Sequence, residues 1–350
     1  MRLTHRNPFG IPLAVILVAL SAFHTSAWGT ASAQQSQTST FASPSAEADP
    51  ESAVQDLAQS SHIKTYNIVT TFYEPMLAPN NSVFYGAFKY NTATQTPYSL
   101  YGELTESMTQ QPGVQTPEMT AVALGHQLSS VSDANGGLLL STFALNTTNV
   151  FDPGGFGSGG TIYYGYGSGA KNPSQGGVGN AYVTVDIDKA NPVNALTSEQ
   201  LDLEAYGDCT NLGMMGKTCM TGIAGGGTMM GYPYSQTVTA TGSTTQSVTF
   251  GTAPTLTAGG DGMTPTATAQ ATANSGLAVI YSSLTPKVCF VYRDTGGIGT
   301  FPYTKSGQTC IVAADQFGNS TYKPATRAKQ HIKLAKFVAA SELSHDNDSQ

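Results

Sequence analysis

Charged residues are scarce in this chain of 350 residues, and positive charge is scarcer than negative charge. Asp, Glu, Lys and Arg make up 11% of the sequence, and 15 Lys and Arg stand against 22 Asp and Glu, a formal net charge of −7. Between Ser61 and Gly242 there is no arginine, and the basic residues are Lys64, Lys89, Lys171, Lys189 and Lys217. Nucleic-acid binding depends on clustered Lys and Arg that neutralise phosphates, so the composition argues against a nucleic-acid partner.

Long hydrophobic runs are also missing. The most apolar stretch, Ile11–Leu20 (IPLAVILVAL), is half the length of ~20 residues that a membrane-spanning helix needs. It follows Arg2 and Arg6 and precedes Ala31-Ser32-Ala33, a pattern typical of a signal peptide over residues 1–33 that is cleaved after Ala33. We therefore expect an exported protein without a membrane span after processing, located in the periplasm, outside the cell or on its surface. An uncleaved anchor is the alternative.

Cysteine is rare, but its number is even. In an oxidising compartment the four cysteines are expected to form two disulfides, and three connectivities are open. We favour the two local pairs, Cys209–Cys219 and Cys289–Cys310. No C-x-x-C spacing or histidine pair supports zinc as the alternative, and we expect no cofactor.

The order of segments predicts an all-β protein with two sandwich domains. Residues 34–62 are rich in Ser, Ala, Thr and Gln, a composition that predicts a flexible linker. In residues 63–243, strand-like runs alternate with glycine-rich loops, which indicates a sandwich or jelly-roll-like N-terminal domain. Its predicted strands include 66–75, 83–90, 98–108, 138–145, 161–166 and 181–187. Phe84, Phe88 and Tyr90 share one parity, as one sheet face requires.

One helix is predicted within this domain, over Leu196–Tyr206. Thr197 or Ser198 can cap it, and three leucines supply an apolar side.

The C-terminal part, residues 244–335, has clear strands at 247–251, 277–282, 288–292 and 309–313, and residues 336–350 form a tail. Its segments VTFGTAPTLTAGGDG, SGLAVIYSSLTPKVC and GQTCIVAADQFGNSTYKPA resemble a bacterial immunoglobulin-like repeat of secreted and surface proteins, over about Gln246–Ala325. The resemblance implies an immunoglobulin-like sandwich that acts as a spacer or adhesive unit. The segment between its cysteines is longer than in the family, and the basic residues after Pro324 are not typical of it; they predict a solvated terminal element.

The N-terminal domain is similar to a group of uncharacterised exported proteobacterial proteins. The similarity rests on YNIVTTFYEPMLAPNNSVFYGAFKY, LTESM, HQLSSVSD, GVGNAYV and GMMGKTCMTG. It implies export and β structure and carries no activity.

Motifs that suggest catalysis are isolated. Asp294-Thr295-Gly296 matches the D-T-G of aspartic proteases, but a second copy is missing, so we interpret it as a turn. Ser168 and Lys171 have the S-x-x-K spacing without its partner motifs, and Gly216-Lys217-Thr218 lacks the first glycine of a phosphate loop. The histidines His62, His126, His331 and His345 accompany no nucleophile motif. We expect no enzymatic activity.

Two clusters suggest binding instead. Met214, Met215, Met220, Met229 and Met230 could bind Cu(I) through soft sulfur, or they could fill a core beneath a disulfide. Tyr163, Tyr164, Tyr166, Tyr232 and Tyr234 could stack on sugars, although tyrosine is common in strands and the only tryptophan, Trp28, lies in the signal peptide.

These observations favour a secreted, non-enzymatic surface or matrix protein with a structural or adhesive role. The alternative is an exported binding protein for a glycan, or for Cu(I), that uses the N-terminal domain. Possible partners are extracellular glycans or other surface proteins.

Overall fold

The computed structural model describes residues 62–109, 118–128, 130–145, 156–157, 161–162, 180–210, 214–215 and 218–336; at 156–157, 161–162, 214–215 and 218–219 it describes the backbone. All of these residues belong to one compact unit. No helix among them is long or apolar enough to cross a bilayer.

The described residues are almost entirely β structure. The strands of the first half are β1 (Ile63–Tyr73), β2 (Ser82–Asn91), β3 (Thr96–Glu106), β4 (Thr120–Leu124), β5 (His126–Gln127), β6 (Val131–Ser132), β7 (Gly137–Phe143), β8 (Phe156–Gly157), β9 (Thr161–Ile162), β10 (Ala181–Asp188), β11 (Ala205–Asp208), β12 (Met214–Met215), β13 (Thr218–Gly222) and β14 (Tyr232–Ala240). Those of the second half are β15 (Val248–Phe250), β16 (Ala267–Thr268), β17 (Ala271–Ala273), β18 (Ile280–Ser283), β19 (Cys289–Val291), β20 (Gly297–Thr300), β21 (Thr309–Asp315) and β22 (Ala328–Lys333). A short helix, α1 (Ser198–Leu201), and a 3₁₀ turn (Thr228–Met230) complete the set.

One large sheet runs through both halves of the chain. Its eight strands follow the order β14-β1-β2-β3-β4-β18-β21-β22. Neighbours are antiparallel except β4 and β18, which pair in parallel at Val122 and Ser283. The boundary that the sequence suggests after residue 243 therefore falls between strands of the same sheet.

A second sheet covers the N-terminal part of the first. Its main strand order is β12-β13-β11-β10-β7-β5, and β6 also pairs with β7. Alternate residues of β1, beginning with Tyr66 and Ile68, pack with residues of β7 and β10 such as Leu140 and Val185 in one buried cluster. This arrangement confirms the predicted all-β sandwich class. The predicted shared face of β2 is also confirmed, because Phe84, Phe88 and Tyr90 all lie in this cluster.

The C-terminal part has its own hydrophobic core. The core contains residues of β18, β19, β20, β21 and β22. The predicted Cys289–Cys310 disulfide is present within it, with 5.7 Å between the two Cα atoms. Val291, Ile298 and Val312 are fully buried beside it. The core fits the predicted sandwich, whereas the immunoglobulin-like relationship stays a prediction.

The predicted helix over Leu196–Tyr206 is correct at its start and wrong in its length. Thr197 caps α1 in a capping box with Gln200, but the helix ends at Leu201. Residues 205–208 instead pair with 181–184 as β11. The pairing buries Tyr206 in the core, so tertiary packing overrides the local helix preference.

Candidate functional site

A groove with a volume of 1090 Å³ lies where the start of β1 and the end of β2 face the segment that leads into β22. Its lining comes from both halves of the chain: Ile63–Thr65 and Phe88–Lys89 from the first two strands, and Lys323–Arg327 with Lys329 from the C-terminal part. Ligand pockets commonly measure ~300–1,000 Å³, so this groove has room for an extended ligand.

The charge of the groove is its most unusual property. Four exposed lysines, Lys64, Lys89, Lys323 and Lys329, belong to its lining, and no Asp or Glu does among the described residues. The ion pairs found in the described part of the chain involve other residues, so none of the four lysines has an acidic partner there. In a chain of net charge −7, this is a local concentration of free positive charge.

Backbone pairing holds these lysines in place. Thr65 and Lys89 are register partners across β1 and β2, and Lys64 takes the adjacent position opposite Tyr90. The amide of Lys323 donates to the carbonyl of Thr244 at 2.8 Å. Lys329 is an exposed residue of β22. The backbone positions of all four lysines are thus fixed by strands or by a backbone hydrogen bond, and only their side chains remain free to move.

A fifth cation in the lining, Arg327, uses its guanidinium group in hydrogen bonds within the protein. Its guanidinium donates to both Asp315 carboxylate oxygens, to the carbonyl of Leu124 at 3.0 Å and to that of Gly102 at 2.7 Å. It also lies 5.3 Å from the centre of the Tyr101 ring. The prediction of a solvated basic end is wrong at Arg327, whose side chain is only 11% exposed because it joins β3, β4 and β21.

A β-bulge shapes the groove from the side of β3. The register between β2 and β3 shifts between Ala87 and Lys89, and Ser99 opposite this point has φ of 56°, which is rare for a residue other than glycine. Ser99 is exposed and belongs to the lining, as does His126. Hydroxyl groups complete the wall at Thr65, Thr241, Ser243 and Thr326.

A set of buried carboxyl groups lies elsewhere in the sandwich. Glu74, Glu106, Asp186, Glu204 and Asp208 are all nearly inaccessible to solvent. Burial raises the pKa of Glu74 and of Asp186 to about 8, and it raises those of Glu106 and Glu204 well above the usual range. Strongly shifted groups often mark active sites, but none of these residues belongs to the groove.

Hydroxyl groups donate hydrogen bonds to two of these buried carboxyl groups. Glu106 accepts hydrogen bonds from Thr120 and, at 2.7 Å, from Thr210. Tyr206 donates to Glu74. Sequence patterns did not indicate these groups, because the environment of each acid is built by residues distant in sequence.

The cysteines and methionines of the sequence prediction have separate environments. Cys209 is disulfide-bonded, and the side chain of Cys219, its predicted partner, lies outside the described side chains, as do those of Met214 and Met215. Met220 is part of the hydrophobic core, Met229 packs against it, and Met230 is 59% exposed. Across the described ranges, no group of three His, Cys, Asp or Glu residues is placed to hold a metal ion.

The other candidate residues are spread over the fold. Asp294-Thr295-Gly296 forms a turn between β19 and β20, as predicted, with φ of 69° at Gly296. Tyr232 and Tyr234 are exposed on β14 and contact the ring of Tyr73. Ala33, Tyr163, Tyr164, Tyr166, Ser168, Lys171, Gly216, Lys217 and His345 lie outside the described residues.

Comparison with protein-family models, with curated proteins and with solved structures finds no match for this chain.

Proposed function

We propose that this chain is an exported, non-enzymatic binding protein that attaches to a surface or matrix polysaccharide through its groove. The observation that carries the proposal is the groove itself, which is open, large enough for an extended ligand and built from both halves of one sheet. The signal-peptide pattern and the immunoglobulin-like resemblance of the C-terminal segment support an adhesive role outside the cytoplasm.

The construction of the groove suits binding of a long polymer. Its walls are strand ends and backbone-anchored segments, so the free protein is already organised for a ligand and loses little conformational entropy on binding. Hydroxyl groups along the wall can exchange hydrogen bonds with the hydroxyl groups of sugars. The bulge at Ser99 keeps a strained residue at the rim, a feature that is concentrated at binding sites.

The proposal is tested by blocking the groove. Thr326 is an exposed lining residue with no side-chain hydrogen bond within the described part of the chain, so Thr326→Trp should fill the groove without disturbing the fold. Thr252 is exposed outside the groove, which makes Thr252→Trp the matched control.

The full chain and both variants would be tested for retention on a panel of immobilised neutral and acidic polysaccharides. We expect the wild-type chain and Thr252→Trp to be retained on the same polymer, and Thr326→Trp to elute. Retention on no polymer, or equal retention of Thr326→Trp, would contradict the proposal.

A further inference from the structure

We infer that the groove selects polyanionic polysaccharides whose sugars carry single negative charges. This inference rests on the proposed function and specifies its ligand class. It is based on the charge and the chemical character of the lining.

The distribution of charge is the first argument. Of the 15 Lys and Arg residues in the chain, five belong to this one lining, while none of the acidic residues does in the described ranges. A concave site of one charge sign raises the local concentration of oppositely charged ligands and speeds their association. The remainder of the chain carries excess negative charge, so a polyanion is attracted to the groove and repelled elsewhere.

The pairing of Arg327 is the second argument. Because Arg327 is neutralised by Asp315, the positive charge free for a ligand is that of Lys64, Lys89, Lys323 and Lys329. A lysine ammonium is a flexible point charge without the fixed fork of arginine. Four such charges around a groove of 1090 Å³ suit a polymer with regularly repeated single negative charges.

The non-charged part of the lining distinguishes a polysaccharide from a nucleic acid. Proteins that bind single-stranded nucleic acids usually combine positive charge with exposed aromatic rings on which bases stack. In the described lining, Phe88 is 1% exposed and the Tyr101 hydroxyl donates to the carbonyl of Ala325 while Arg327 lies over its ring. Apart from the exposed imidazole of His126, hydroxyl groups take the place of free aromatic faces, and they match the hydroxyl groups of sugar rings.

The test compares two polymers with the same backbone. Polygalacturonate carries a carboxylate on each sugar, and fully methyl-esterified polygalacturonate carries none. Equilibrium binding to the immobilised full chain would be measured for both polymers at low and at high salt, with single-stranded DNA as the nucleic-acid probe.

Two sets of variants locate the site. Lys64, Lys89, Lys323 and Lys329 would be changed to Gln, singly and together, and to Arg to retain the charge. The control is Lys287→Gln with Lys305→Gln, since both lysines are exposed and lie outside the groove. Thermal melting would check that every variant is folded.

We expect polygalacturonate to bind at least about tenfold more tightly than its ester, and this preference to fall at high salt as charges are screened. Each Lys→Gln change should raise Kd by roughly two- to fivefold, and the quadruple change by more than about tenfold, while the Arg variants and the control retain binding.

Equal binding of both polymers, lost in Thr326→Trp but kept in the quadruple Gln variant, would overturn the inference and leave the proposed function intact. Tighter binding of single-stranded DNA through the four lysines would overturn the choice of a polysaccharide. If none of the probes binds, the inference is overturned. The panel of neutral and acidic polysaccharides would still test the proposed function independently.

Discussion

Arg327 belongs to the lining of the groove and has its Nη2 atom 2.7 Å from Oδ2 of Asp315, and the two side chains are 11% and 1% exposed. Arg327 precedes β22, whereas Asp315 ends β21, and the same guanidinium reaches carbonyls of β3 and β4. This ion pair therefore fixes the wall of the groove to the centre of the large sheet and leaves the lysines as its free charges.

Removal of the arginine should strongly destabilise the fold. Arg327→Gln leaves Asp315 buried without its cation, and breaking a buried ion pair in this way costs ~3–5 kcal/mol. Urea denaturation measures the loss. Lys329→Gln, an exposed neighbour, should change the free energy of unfolding by less than about 0.5 kcal/mol. Similar small effects of both changes would contradict the structural role of Arg327.

The buried acids predict a fold that is more stable at acidic pH. Burial raises the pKa of Glu74 to about 8 from an ordinary value of 4.5. The folded state therefore holds a proton that the unfolded state releases, so the contribution of Glu74 is complete below about pH 4.5 and is lost as the pH rises towards 8.

Glu74→Gln removes this titration. The stability of the variant relative to wild type should increase by at least about 1 kcal/mol between pH 4.5 and pH 8. Chemical denaturation of both proteins across this range provides the measurement. A difference that stays constant with pH, or that decreases, would show that Glu74 is not protonated in the fold.

The disulfide between β19 and β21 should stabilise the C-terminal core. The cysteines are 21 residues apart and fully buried, and closing such a loop contributes ~3 kcal/mol. The Cys289→Ala, Cys310→Ala double variant should lose about this amount in urea denaturation. Non-reducing peptide mapping of the wild-type chain should recover Cys289 linked to Cys310, and free thiols at both positions would contradict the bond.

A glycine pair in the large sheet should tolerate no side chain. Gly86 and Gly102 are register partners in β2 and β3, and the ring of Phe84 covers both. A Cβ atom on Gly102 would lie 2.2 Å from the carbonyl oxygen of Tyr85. Gly102→Ala should cost ~1–3 kcal/mol as the surrounding core is overpacked.

Gly251→Ala is the matched control for this change. The nearest atom to its Cβ position is 3.7 Å away, so its effect on thermal stability should be small. A Gly102→Ala variant as stable as this control would rule out the close packing of Phe84 on the glycine pair.

Local patterns predicted the parts of the fold that depend on local geometry. The period-two placement of Phe84, Phe88 and Tyr90 identified a sheet face because side chains alternate along any strand. The preference of Thr197 for a helix start identified α1, but its end depended on β11 pairing with β10, which the segment itself does not reveal.

The groove depends on contacts between distant parts of the chain. Lys64 and Lys89 lie among strands with little positive charge, Lys323 lies in the segment that resembles an immunoglobulin-like repeat, and Lys329 belongs to the basic end predicted after Pro324. They come together because the Lys323 amide donates to the carbonyl of Thr244, shortly after β14, and Arg327 donates to carbonyls of β3 and β4. Sequence composition predicted a shortage of positive charge, and only the topology showed that this charge is concentrated at one site.

Protection of lysines from acetylation tests the binding role of the groove most directly. The full chain would be treated with an acetylating reagent, with and without polygalacturonate, and each lysine would be quantified by mass spectrometry. We predict that the polymer protects Lys64, Lys89, Lys323 and Lys329 and leaves Lys287 and Lys305 as reactive as before. Protection of Lys287 and Lys305 without protection of the four groove lysines would contradict the proposed site.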